Sequence, residues 1–91
     1  MTPNVARAPL PLVEVKPGAW TLNCLGLLCP VPISKTGLAV RRIPRGSVLT
    51  IVADDPGVEL DLTDWCSANR QELISIEVSD GIFTTTLRKI R

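Results

Sequence analysis

The spacing of apolar residues changes period several times along the chain. Residues 20–25, largely apolar, read as a first strand that Gly26 ends. From Pro30 to about Ile43 the period lengthens. Ile33, Thr36, Gly37, Val40 and Ile43 recur at steps of three and four, predicting a helix with these residues toward the core. Its other face carries Val31, Ser34, Lys35, Leu38, Arg41 and Arg42, so Val31 and Leu38 are apolar residues on the water side. Pro30 suits the first helical position and Pro32 still falls in the first turn, which puts Cys29 at or next to the N-cap. Pro44-Arg45-Gly46 is a stop signal.

Residues 48–53 form a nearly unbroken apolar run, the mark of a central strand. Asp55 as N-cap and Pro56 as first residue then predict a second helix. Val58, Leu62, Trp65, Cys66 and Asn69 share its inner face, while Asp61, Asp64 and Ser67 lie off it and Asp61 reads as a solvated helix residue. Residues 73–78 return to a period of two, with Ile74, Ile76 and Val78 against Ser75 and Glu77. Asp80-Gly81 is a two-residue hairpin signal, and residues 82–87, with three consecutive threonines, form the last strand.

The predicted order is β-α-β-α-β-β. A right-handed crossover through the first helix makes the first two strands parallel, and the last two form an antiparallel hairpin. The expected architecture is an α/β (α+β) two-layer sandwich, a mixed four-stranded sheet with two helices on one face. It occupies residues 19–91. Residues 1–18 hold four of the eight prolines and read as an N-terminal extension outside the core, closed by a Pro17-Gly18 turn.

Composition narrows the chemistry. With ten basic and nine acidic residues in 91, charge points to neither a nucleic acid nor a membrane partner. Trp20, Trp65 and Phe83 are too few for a base-stacking platform. Histidine is absent, which excludes a Cys–His nucleophile and a His-ligated zinc site. The three cysteines are odd in number and lack zinc spacing, so no metal is expected. No stretch reads as a signal peptide or a bilayer span, so the expected setting is the reducing cytoplasm, with free thiols.

Parallel first and second strands end at the same sheet edge. Cys29 should therefore gather there with Asp54 and Asp55, beside both helix N-termini. Gly26, Pro30, Pro32, Asp54 and Asp55 are the residues expected to shape this site. The N–H groups of Val31 and Ile33 are its expected anion donors, while a nearby carboxylate would raise the thiol. Val31, Lys35, Leu38, Arg41 and Arg42 are the expected partner-docking set, apolar anchors joined to a basic patch. Cys66 reads as core. Cys24 reads as a small buried residue or, alternatively, as a second thiol for Cys29 in a redox or regulatory protein, although the spacing is not Cys-x-x-Cys.

Gly26-Leu27-Leu28-Cys29-Pro30-Val31-Pro32 resembles the Gly-Leu-x-Cys-Pro-x-Pro signature of the TusA-like (SirA-like) sulfur carriers. The resemblance continues through Gly46, Asp54-Asp55-Pro56-Gly57, Asp61-Leu62 and Trp65-Cys66, covering about residues 20–90. It implies the same β-α-β-α-β-β fold. It also implies that Cys29 carries sulfur as a covalent persulfide, without a separate cofactor. The donor would be a cysteine desulfurase or another sulfurtransferase and the acceptor a partner protein, serving tRNA thiolation, cofactor maturation or sulfur oxidation. Such a relay is a thiol–disulfide type exchange and needs no histidine. The chain departs from the family at Asn23-Cys24-Leu25, where an acid and a base are usual, at Gly37-Leu38, and at Asn69-Arg70 in place of Gly-His. These departures lie near the expected docking surface and bear on which partner is used.

Overall fold

A computed structural model describes residues 10–91. The elements are β1 (Leu12–Lys16), β2 (Ala19–Cys24), α1 (Val31–Arg42), β3 (Val48–Ala53), α2 (Val58–Asn69), β4 (Glu72–Ser79) and β5 (Ile82–Arg88). The sheet order is β1-β2-β3-β5-β4. β2 and β3 run parallel, Leu22 opposite Ile51, and every other pairing is antiparallel. α1 packs over β2 and β3 and α2 over β4 and β5, so both helices lie on one face.

The two-layer architecture is as expected, but the sheet has five strands rather than four. The fifth, β1, lies within the proline-rich extension and pairs with β2 from Leu12↔Leu22 to Lys16↔Ala19, with an irregularity after Glu14. Its prolines hide it. Pro11 precedes the strand and Pro17 sits in the following turn, so none removes a ladder hydrogen bond. It is also an edge strand that leaves Val13 and Val15 exposed, so burial leaves little pattern in its sequence. Residues 1–9 of the extension lie outside the described residues.

The core lies between sheet and helices. Leu22, Cys24, Leu49, Ile51, Ala53 and Leu87 project from the sheet to meet Ala39, Val40, Ile43, Val58, Leu62 and Cys66. The α1 stripe is rotated from the expected one. Pro32, Thr36, Ala39, Val40 and Ile43 are buried, whereas Ile33 and Gly37 are half-buried beside α2. A helix packed on both a sheet and a second helix has two inward faces, and a single-stripe reading averages them. Buried Thr36 satisfies its hydroxyl by donating to the Pro32 carbonyl, 2.8 Å away. On α2, Asn69 is exposed although it continues the apolar stripe.

Both helices start later than their prolines suggested. Pro30 is the N-cap of α1 and Pro32 stands in its first turn. Pro56-Gly57 forms a turn, Gly57 is the N-cap of α2, and Asp55 precedes it. The Asp80-Gly81 hairpin has positive φ at both residues, 52° and 77°, as a tight primed turn requires.

Candidate functional site

β2 and β3 end side by side, Cys24 opposite Ala53, and the chain leaves each through a loop. The loop after β2 carries Cys29. Its conformation follows from where its N–H groups go. Leu25 N–H donates to Asn23 Oδ1 at 3.0 Å, Leu27 N–H to the Cys24 carbonyl at 3.2 Å, and Val31 N–H to the Leu28 carbonyl at 2.9 Å. Gly26, at φ +79°, turns the chain where a side chain would be strained. Its N–H donates to Asp54 Oδ1 at 3.0 Å. Cys29 N–H donates to Asp55 Oδ2 at 2.8 Å, and Gly57 N–H reaches Asp55 Oδ1 at 3.4 Å. Asp54 and Asp55 thus tie the cysteine loop to the start of α2.

The thiol itself is exposed and donates to Asp61 Oδ2 at 2.6 Å. Asp61 is in the first turn of α2, and its carboxylate turns toward the cysteine loop rather than being solvated as expected. A cleft of about 390 Å³ opens beside the sulfur, lined by Cys29, Pro30, Ile33, Asp61, Asp64, Trp65 and Ala68. The hydrogen bond to Asp61 raises the thiol above its ordinary range, helped by local desolvation and by the charges of Asp61 and Asp55.

The expected anion donors are not free. Besides Val31, whose N–H is used by Leu28, the Ile33 and Ser34 N–H groups both donate to the Pro30 carbonyl at 3.1 Å. Proline at position 32 has none. Cys29 lies one residue before the N-cap, so the first turn of α1 closes on its own carbonyls.

The other expected site residues are distributed as follows. Pro30 lines the cleft. Pro32 is buried on the inner side of the first turn of α1 and does not line the cleft. Val31 is exposed next to the thiol, while Leu38, Arg41 and Arg42 follow at about 10–17 Å along the outer side of α1 at 1.5 Å per residue. Lys35 is half-buried, close enough to Cys24 that its charge lowers that thiol against the larger raising effect of burial. The set therefore forms a stripe along α1 rather than one patch. Arg41 borders a separate cavity of about 260 Å³ between the helix C-terminal ends, which shares Trp65 with the thiol cleft. Leu28, 72% exposed, and Leu60, 66% exposed, add bare apolar surface on the cysteine loop and the first turn of α2. Cys24 is fully buried, on the sheet face under the helices, which does not favour pairing with exposed Cys29.

Asp61, Asp64 and Trp65 were not expected in the site. One signal could have found Asp61: the topology puts the first turn of α2 at the edge that holds Cys29, so the side chains there are candidates to border the thiol.

The family model described as "Sulfurtransferase TusA" matches residues 20–89. A putative sulfur carrier protein of Neisseria meningitidis is 34% identical over 68 residues, covering 75% of this chain and 92% of the relative. A sulfur carrier protein TusA of Pseudomonas syringae is 32% identical, with 75% and 81% covered. A putative sulfur carrier protein of Aquifex aeolicus is 33% identical over 69 residues, but this chain spans only 35% of its length. The crystal structure of a SirA-like protein from Desulfitobacterium hafniense superposes with a TM-score of 0.68 at 21% identity, covering 78% of this chain and 97% of that one, a likeness of fold.

Proposed function

The chain belongs to the TusA family of sulfur carriers, and from that premise we propose that it relays sulfane sulfur as a persulfide on Cys29. The observation that carries the reading is the placement of an exposed thiol on a loop whose N–H groups are nearly all engaged, at the mouth of a cleft. The step asks little else of the protein. In uptake, Cys29 Sγ attacks the outer sulfur of a donor persulfide R–S–SH. The new Sγ–S bond forms as the donor S–S bond breaks, and the donor thiol takes the proton that Cys29 loses. In delivery the same exchange runs toward an acceptor thiol, with no net oxidation.

The donor is a cysteine desulfurase or another sulfurtransferase, the acceptor is a partner protein, and the setting is cytoplasmic. Among the described residues no helix is long and apolar enough to cross a membrane. The exposed stripe of Val31, Leu38, Arg41 and Arg42, with half-buried Lys35, is the surface offered to these proteins. Intact-protein mass spectrometry after incubation with a cysteine desulfurase and cysteine tests the proposal. One added sulfur should appear on the wild type and be absent from Cys29→Ser. An adduct that persists in Cys29→Ser rules the assignment out.

A further inference from the structure

We propose that Asp61, backed by Asp55, keeps the sulfur group on Cys29 protonated in both states of the carrier, as a thiol when empty and as a hydrodisulfide, S–SH, when loaded. The proposal rests on the carrier reading of Cys29 and adds the chemical form in which the cargo is held.

The first observation is the 2.6 Å contact between Cys29 Sγ and Asp61 Oδ2, which needs a proton between the two atoms. Removing that proton leaves two anions in contact. The second is the charge around the sulfur. Asp61 and Asp64 face the cleft from α2, and Asp54 and Asp55 hold the cysteine loop from the segment after β3. Among the described residues no basic side chain lines the cleft, Lys35, Arg41 and Arg42 of α1 included. The third is the supply of donors. The N–H groups of Val31, Ile33 and Ser34 close on Leu28 and Pro30, Pro32 has none, and the N–H of Cys29 is taken by Asp55. A helix start would ordinarily stabilise a thiolate. Here it has spent its donors, and the site offers acceptors instead. Such surroundings suit a protonated group.

The consequence is greatest in the loaded state. A persulfide is more acidic than the parent thiol, and its anion is a nucleophile that resists attack by another thiolate. The outer sulfur lies one bond, about 2.05 Å, beyond Sγ, and Cys29 itself lines the cleft that Asp61 and Asp64 border. Holding it as S–SH makes it an electrophile. An acceptor thiolate R–S⁻ then attacks the outer sulfur, a new S–S bond forms between the acceptor sulfur and the outer sulfur, and the Sγ–S bond breaks with its electron pair on Sγ. Asp61 passes the proton from the transferred sulfur to Sγ. The products are Cys29–SH and R–S–S⁻, and charge and protons balance without an oxidant.

Asp61→Asn tests this, because the two states should respond in opposite senses. In the empty protein, iodoacetamide should alkylate Cys29 of the variant several-fold faster than wild type at pH 7, with the reactivity–pH midpoint moved down. In protein loaded with sodium polysulfide, cyanide should release thiocyanate from the variant several-fold more slowly, since more of its cargo is the anion. Protonation of cyanide cancels in the ratio. Asp61→Glu, which restores a carboxylate, should recover part of both effects, and a thermal melt confirms that the variants fold. Rates that both rise, both fall or both stay unchanged in Asp61→Asn overturn the proposal. A wild type that never takes up sulfur from a cysteine desulfurase sinks the carrier reading instead, while the alkylation arm still reports the grip of Asp61 on the empty thiol.

Discussion

Asp55→Ala separates what holds the cysteine loop from what sets its chemistry. Asp55 Oδ2 accepts the Cys29 N–H at 2.8 Å, and Oδ1 sits 3.4 Å from the Gly57 N–H, so one half-buried side chain joins the loop to the turn before α2. A hydrogen bond to a charged acceptor contributes about 1.5–3 kcal/mol where it is shielded. Cys29 is exposed, which brings the figure toward about 1 kcal/mol, and the long contact to Gly57 adds little. Asp54 still holds Gly26. A loss of about 1 kcal/mol lowers Tm by roughly 4–8 °C in a domain of this size. Asp55→Asn keeps a neutral acceptor and should lose about half as much. Reactivity should move the other way, because the charge of Asp55 is one of the causes that raise the Cys29 thiol. Asp55→Ala should therefore melt earlier yet alkylate faster at pH 7. Circular-dichroism melts and iodoacetamide kinetics on the same samples measure both. An unchanged Tm, or slower alkylation, would refute the reasoning.

Two further outcomes follow from the packing. Gly37 lies within α1, and a Cβ there would meet Trp65 Cζ2 at an unstrained 4.0 Å, so Gly37→Ala should stabilise by about 0.5–1 kcal/mol; a lower Tm would show that the inter-helix cleft has no room. Burial raises the Cys24 and Cys66 thiols. Their folded values lie above the unfolded ones, so their contribution is fully present below the ordinary thiol range and is lost as pH rises through the folded values. The chain has no tyrosine to titrate in that window. The urea midpoint should fall between pH 8 and pH 10.5, and less steeply for the Cys24→Ala/Cys66→Ala double variant; equal slopes would refute the assignment.

Six of the seven described elements are legible to within two or three residues, because each has a period and a punctuation mark of its own. β3 is a nearly unbroken apolar run between Gly46 and Asp54, and Asp80-Gly81 separates β4 from β5. The helix starts were less sharp, since a proline marks the neighbourhood of an N-terminus without choosing between N-cap and first turn. β1 was missed as a strand because an exposed edge strand buries too little to stamp its pattern on the sequence.

The site divides in the same way. The sequence alone determined that an unpaired cysteine opens a helix after the first parallel strand, and that two aspartates follow the second. Parallel pairing of those strands, which the intervening helical crossover imposes, then brings them to one edge without recourse to side-chain detail. Only the tertiary structure decided what surrounds the sulfur. Whether a helix N-terminus presents free donors to a thiolate or closes on its own carbonyls depends on one residue of register, and Pro30 as N-cap settled it toward closure. Whether Asp61 faces water or the thiol depends on how α2 is rotated against α1, which the packing of Val58, Leu62 and Cys66 into the shared core sets. Position along the chain is a local property, whereas the company a side chain keeps is set by the packing of the whole domain.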